Sequence, residues 1–409
     1  MTTLAPTPAA ASGRRHARGF WLVAYVFATT MAFAAAPAPL YVLYAREDGF
    51  GSFAVTLIFA AYAVGVAVSL YLAGHLSDRF GRRRVVVPAV ALNVAAGLMF
   101  LTWHQLGMLL AARLVSGLGI GLLTATATAH LAELHRTARP GRSSALAEVT
   151  ATAANIGGIG LGPLVAGALA QWAPDPLTTP YAVFCVLMVA GLVAVVVVPE
   201  TVGPATDEWR YRPQRVAVPA AARATFWAAG VAAFVSFAMF GFFTSLAPSF
   251  ISGTLHHTSH ALAGAISFSV FGSAAVAQIL TARWPAPRLY AVGFTALVAG
   301  LLLVVAGILS STLGLLVAGG LVVGAGAGTT FKATVASVIA IAPPALRGET
   351  LAGLFLIAYL GIALPVVLLG VLVEYVATNP SIVAFGVLML ALLGIAGAMI
   401  GATRRDTAG

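Results

Sequence analysis

Few residues in this 409-residue chain could do chemistry, because only 8% of it is charged. Two cations stand alone inside apolar runs, Arg113 and the single lysine, Lys332. A charge in hydrocarbon is costly and marks a functional candidate, so these two are read as charges facing a substrate or a proton. The acids are scarcer. Glu133 and Glu148 fall near the ends of apolar runs, with His130 one turn before Glu133. Glu133 is expected to pair with Arg79 or Arg82 and act as a relay. The densest charge lies in Gly74-His75-Leu76-Ser77-Asp78-Arg79-Phe80-Gly81-Arg82-Arg83-Arg84, with one acid and four arginines in its last seven residues. Flanked by long apolar runs, this segment must be a loop at a membrane face.

The elements that position these residues follow from composition. Hydrophobic residues make up 60% of the chain, and the mean hydropathy is +0.98. Runs of roughly 20 apolar residues cross a bilayer as helices. Spans are predicted over 20–38, 53–73, 85–102, 106–134, 144–172 and 181–199. A second set covers 225–252, 261–282, 289–309, 313–342, 350–376 and 382–402. Between the sets lies a polar, proline-punctuated stretch that includes Asp207, Glu208, Arg210, Arg212 and Arg215. It reads as a linker, so the chain divides into 1–199, a linker 200–223 and 224–409. The basic start and the first apolar run imitate a secretory signal peptide. Cleavage there would leave eleven spans, so the run is read as the first helix.

Placing the N-terminus in the cytoplasm and alternating puts 19 of the 22 basic residues in cytoplasmic segments and only Arg46 outside. That asymmetry sets the orientation, with both termini cytoplasmic. The same bookkeeping explains the net charge of +10 without a nucleic-acid partner. Cys185 is the single cysteine and can form neither an intramolecular disulfide nor a metal cluster. An internal repeat supports two related halves. Gly117, Gly119 and Gly121 in the fourth span recur 207 residues later as Gly324, Gly326 and Gly328 in the tenth. Glycines at i, i+4 let another helix backbone approach closely.

The opening loop resembles the one between helices 2 and 3 of the major facilitator superfamily, G-x-L-x-D-R-x-G-R-R. Gly74, Leu76, Asp78, Arg79, Gly81, Arg82 and Arg83 fill every fixed position. The resemblance implies an all-α membrane protein with 12 transmembrane helices in two pseudo-symmetric six-helix bundles. It also implies that the loop latches onto the start of helix 11, here near Gly348. Arg113 with Gly117 and Gly119 is similar to R-x-x-x-G-x-G, associated with proton-coupled members. Gly158, Gly162, Pro163 and Gly167 resemble G-x-x-x-G-P-x-x-G-G of the drug:proton antiporter branch, with Ala166 in place of one glycine. Pro199-Glu200-Thr201 is a family-like tail, given little chemistry of its own. Helices 1, 4, 7 and 10 line the cavity in this fold, so Arg113, Lys332, Tyr25, Phe237 and Phe240 are the expected substrate contacts.

The reading is therefore a multi-pass secondary transporter of a bacterial inner membrane. It is expected to act as a monomer, without cofactor or metal, on a small amphipathic molecule with protons as co-substrate. Export is favoured over a proton-coupled uptake symporter or a sugar or organic anion exporter. Arg113 and Lys332 make the cavity basic and favour neutral or anionic cargo. Enzyme motifs such as H-E-x-x-H and G-x-S-x-G are absent, as is the phosphate loop of an ATP-driven pump.

Overall fold

The computed structural model describes residues 8–47, 49–103, 105–203, 211–214, 216–343 and 346–406. The described residues form helices only, and 12 of them are long and apolar enough to cross a membrane. They are α1 (Gly13–Glu47), α2 (Ser52–Ala73), α3 (Arg82–Thr102), α4 (Leu106–Ala138), α5 (Ala145–Trp172) and α6 (Thr179–Val196). The rest are α7 (Arg223–Ser245), α8 (His260–Leu280), α9 (Ala286–Leu309), α10 (Leu313–Ile341), α11 (Arg347–Tyr375) and α12 (Thr378–Thr403). The first span runs well beyond 20–38, since the helix begins within the arginine-bearing segment and continues after a break as the short helix Tyr41–Glu47. The seventh predicted span, 225–252, is likewise broken, and its end is the separate short helix Ala247–Gly253. These two short helices pack on each other. Of the linker residues singled out by sequence, Asp207, Glu208, Arg210 and Arg215 lie outside the described residues.

The helices make two six-helix bundles. The largest buried apolar cluster draws only on residues 20–198, and the other three only on 226–396. Within the first bundle α4 packs against α1, α2 and α3; within the second α10 packs against α7, α8 and α9. The glycine repeat explains the match. A Cβ on Gly117 would meet the Tyr62 carbonyl of α2, and one on Gly119 would meet Asn93 of α3. In the second bundle a Cβ on Gly324 would meet the Val270 carbonyl of α8, and one on Gly326 would lie 2.7 Å from the Leu297 nitrogen of α9. Equivalent glycines thus allow equivalent backbone crossings, and α4 and α10 share one register within their bundles.

The bundles meet through two pairs, α5 with α8 and α2 with α11. Both contacts lie toward the end remote from the Gly74–Arg84 loop. Gly167 of α5 faces the backbone of His260 and Gly264 of α8, and Gly264 in turn faces the Pro163 carbonyl. The His260 amide donates to Gln171 Oε1 at 3.0 Å. Across the other pair the Phe53 amide of α2 donates to Glu374 Oε1 of α11 at 2.9 Å. Glu374 therefore joins the two bundles. At the loop-bearing end the bundles splay, and a cavity opens between them. Since Gly117 has no room for a side chain, Gly117→Val should force α2 from α4. Overpacking of this kind costs about 1–3 kcal/mol, and a lowered melting temperature of the detergent-purified protein measures it.

Candidate functional site

The cavity has a volume of about 770 Å³ and is walled by both bundles. Its polar lining comes from Arg113, Thr124 and Thr128 of α4, Thr152 and Asn155 of α5, Thr244 of α7, Gln278 of α8 and Lys332 of α10. None of the lining residues is acidic. The rest is apolar and aromatic. Phe240 stacks on Phe271 with centroids 4.8 Å apart, and Phe237 lies 4.8 Å from Phe331 and 5.7 Å from Tyr359.

Arg113 is only 2% exposed. Its Nη1 donates to the Ala34 carbonyl of α1 at 2.6 Å. The guanidinium lies 4.4 Å from the Tyr62 ring centroid and 5.9 Å from that of Phe59, a cation–π arrangement. Its Nε has no hydrogen-bond acceptor, and the buried Tyr41 hydroxyl, also on the cavity, has no partner. Among the described residues Arg113 meets no carboxylate. Lys332 donates to the Gln278 carbonyl at 2.7 Å, so both cations are held by main-chain oxygens; among the described residues neither makes an ion pair, and Glu148 lies within electrostatic reach of Lys332.

Asn155 owes its place to a local irregularity. Residues Ala153–Gly157 of α5 form a π-helical turn between two α-helical stretches, and such bulges recur at functional sites. Beyond it, Gly158 and Gly162 face α1, where added Cβ atoms would meet the Ala28 and Ala32 carbonyls, while Gly167 faces α8. The glycine-proline pattern thus wedges α5 between its own bundle and the other.

Tyr25 requires a correction. It is 39% exposed and donates to the Leu187 carbonyl of α6 at 3.0 Å, because α1 presents that face to α6 and the exterior. Phe234 is not among the cavity-lining residues, and its backbone takes the close approach of Gly361 of α11. Phe237, Phe240, Arg113 and Lys332 all reach the lining. Sequence inspection gave no role to Asn155, Gln278 or Tyr359, since isolated amides and one tyrosine in apolar runs look like packing.

A second cluster lies at the loop-bearing end. Arg82, 9% exposed, is its centre. Its guanidinium pairs with Asp78 at 2.6 Å and Glu133 at 2.9 Å and donates to Ser77 Oγ at 2.8 Å. Glu133 also accepts from the Thr201 hydroxyl at 2.5 Å. Glu200 supplies the other half. It accepts from the backbone amides of Arg82 at 2.7 Å and Arg83 at 3.1 Å, so a carboxylate caps the N-terminus of α3 and opposes its dipole. Arg83 does the converse and donates to the Val196 and Val198 carbonyls at the end of α6. Gly81 at the junction has φ +103°, and a Cβ there would strike the Glu200 carboxylate, so only glycine fits. Arg79 sits half-buried on the short helix Leu76–Phe80.

The expected Glu133 pairing is thus with Arg82. The tail Glu200-Thr201, read from sequence as having little chemistry, ties this cluster together. An acid directly after an apolar run and opposite an arginine cluster was the available signal. Glu133 and Arg113, the two α4 charges that a proton relay would use, lie twenty residues apart, roughly 30 Å, and do not meet. Asp78 does not touch α11. A groove separates the loop from the start of α11, lined by Asp78 and Arg82 on one side and Gly348 and Glu349 on the other. Linker residue Gln214 spans it, with its amide donating to the Tyr71 carbonyl at 2.8 Å and its side chain to the Gly348 carbonyl at 3.0 Å. The equivalent loop of the second bundle is simpler, with Arg288 stacked 4.0 Å over Trp284.

The family model described as Major Facilitator Superfamily matches residues 21–284. Among curated relatives, the chain is 29% identical over 126 residues to the bacillibactin exporter of Bacillus subtilis, covering 30% of this chain and 31% of that protein. It is 30% identical over 90 residues to the arabinose-proton symporter of the same organism, covering 22% of this chain and 19% of that protein. The matched stretches therefore span a third or less of either relative. Whole-chain similarity appears in structures. The nucleoside transporter NupG superposes with a TM-score of 0.72 at 12% identity, over 93% of this chain and 99% of that one. The human organic anion transporter MFSD10 gives 0.66 at 18% identity over the same shares.

The α3 cap is directly testable. Glu200→Gln should cost about 1 kcal/mol, the size of a helix N-terminal cap. Glu133→Gln should cost about 1–2 kcal/mol, less than a fully buried pair because Arg82 keeps Asp78. Thermal denaturation of the purified variants reads both.

Proposed function

The chain belongs to the major facilitator superfamily and is a membrane transporter, and on that premise we propose that it exports a small amphipathic molecule in exchange for protons. The observation that carries this reading is a large, mostly apolar cavity between two bundles, walled by both and open at one end only. Such a site is served by alternating access, in which the halves 1–199 and 224–409 rock about it. In this reading the loop-bearing end faces the cytoplasm, since the basic residues cluster there. Closing that end would bring the start of α11 across the groove to Asp78, which is 68% exposed and faces it. The far contacts, α5 on α8 and α2 on α11, would part in the same motion.

Export is favoured by the glycine-proline pattern of α5, which resembles that of antiporters and sits at the contact the outward opening must break. The partial similarity to an exporter of bacillibactin points the same way. Proton coupling is supported by the resemblance around Arg113. The similarity to an arabinose-proton symporter favours uptake as the second reading.

Everted membrane vesicles separate the two. With an acidified lumen reported by 9-aminoacridine quenching, an exported compound should release protons and restore fluorescence, and an uncoupler should abolish its accumulation. Accumulation by intact cells, driven by the same gradient, would establish the symporter.

A further inference from the structure

We propose that the cavity is an organic-anion site with a defined polarity: an acid head group binds Arg113 and Tyr41 at the closed end, an aromatic body lies against the phenylalanine wall, and Lys332 draws the anion in at the open end. This rests on the transporter reading above and names its cargo class.

Three observations carry it. The first is unmet donors. Arg113 and Tyr41 are cavity-lining residues, both 2% exposed, and the Arg113 Nε and the Tyr41 hydroxyl are buried in that wall without a partner. Buried polar atoms are nearly always paired, so two orphaned donors on residues of one cavity wall mark where an acceptor binds. A guanidinium held through Nη1 and stacked by Tyr62 is also preorganised for a carboxylate, sulfonate or phosphate. A cationic head group would find no carboxylate there, because no lining residue is acidic.

The second observation is depth. The glycine crossings put α4 and α10 in one register with an offset of 207 residues, so Arg113 is level with Gly320. Lys332 lies twelve residues further along α10, which is roughly 18 Å nearer the loop-bearing end. One small anion cannot bridge both cations. They act in sequence: a half-buried Lys332 near the mouth raises the local concentration of anions, and Arg113 holds them at the end.

The third is the wall between. Phe237, Phe240 and Tyr359 flank the path, and Phe240 with Phe271 forms an offset-parallel stack at an interplanar angle of 17°. Flat aromatic faces favour a planar apolar body over a hydroxyl-rich one.

A matched probe series tests this without any gradient, so its outcome is independent of transport direction and coupling. 2-Naphthoate, 2-naphthalenemethanol and 2-naphthylmethylamine share one body and differ in head charge. Binding to the detergent-purified wild-type protein is read by thermal shift and by calorimetry. The carboxylate should bind at least about tenfold more tightly than the alcohol, the scale of a charge-assisted hydrogen bond, and the amine more weakly than both. Arg113→Gln should remove the preference for the carboxylate while leaving the alcohol within a few-fold. Tyr41→Phe, which keeps the ring, should weaken the carboxylate by about three- to tenfold. Lys332→Gln should slow carboxylate association severalfold and flatten its salt dependence, with dissociation unchanged. Equal binding of acid and amine by the wild type, no binding by any of the three probes, or an unchanged acid preference in both Arg113→Gln and Tyr41→Phe overturns the proposal. Failure of proton coupling in vesicles alongside intact acid selectivity would instead remove only the antiport reading.

Discussion

A charge in hydrocarbon must be paired, carried to a water-filled surface or removed, and most of the described charged residues of this transporter reflect one of those outcomes. Most arginines are sorted to one end. Arg82 is buried there because Asp78, Glu133 and Ser77 surround it and Glu200 holds its backbone. Arg83 and Glu200 are spent on helix ends, where partial charges of the backbone dipole answer them. Arg113 and Lys332 are left to main-chain carbonyls and ring faces, which satisfy hydrogen bonds without cancelling charge. A deep, apolar cavity with two cations outside any ion pair follows from that distribution.

The same constraint shapes the contacts that hold the bundles. Lipid is as apolar as leucine, so helices in a bilayer associate through close backbone packing more than through burial of apolar surface. Gly117, Gly119 and Gly121, with their counterparts in α10, bring each bundle together. Gly162, Gly167 and Gly264 do so between α1, α5 and α8. Contacts of this kind are flat and narrow, and those between the bundles are confined to one end. Two rigid bundles joined at one end can rock, whereas a broad interdigitated interface would resist it.

The tie at the loop-bearing end is asymmetric. In the first bundle, loop, α4 and the end of α6 form one charged unit; in the second, Arg288 rests on Trp284. Gln214 of the linker reaches from α2 to α11 across the open groove. The charged network is thus concentrated in one bundle, and the start of α11 faces it across the groove.

Sequence by itself determined the number of spans, the sorting of basic residues, the glycine repeat and the identity of the arginine loop. Each is a pattern along the chain, set by bilayer thickness, loop charge or fixed spacing, and none needs a distant residue. Only the tertiary structure decided which polar residues share a surface. Tyr25 and Tyr41 lie on one broken span and look alike in sequence, yet packing turns the first toward α6 and leaves the second with an unpaired hydroxyl in the cavity wall. Glu200 looked like a tail residue until the fold set it against Gly81. The reason is geometric: a helix buries or exposes a side chain according to its rotation against its neighbours, and that rotation is set by contacts far away in the chain.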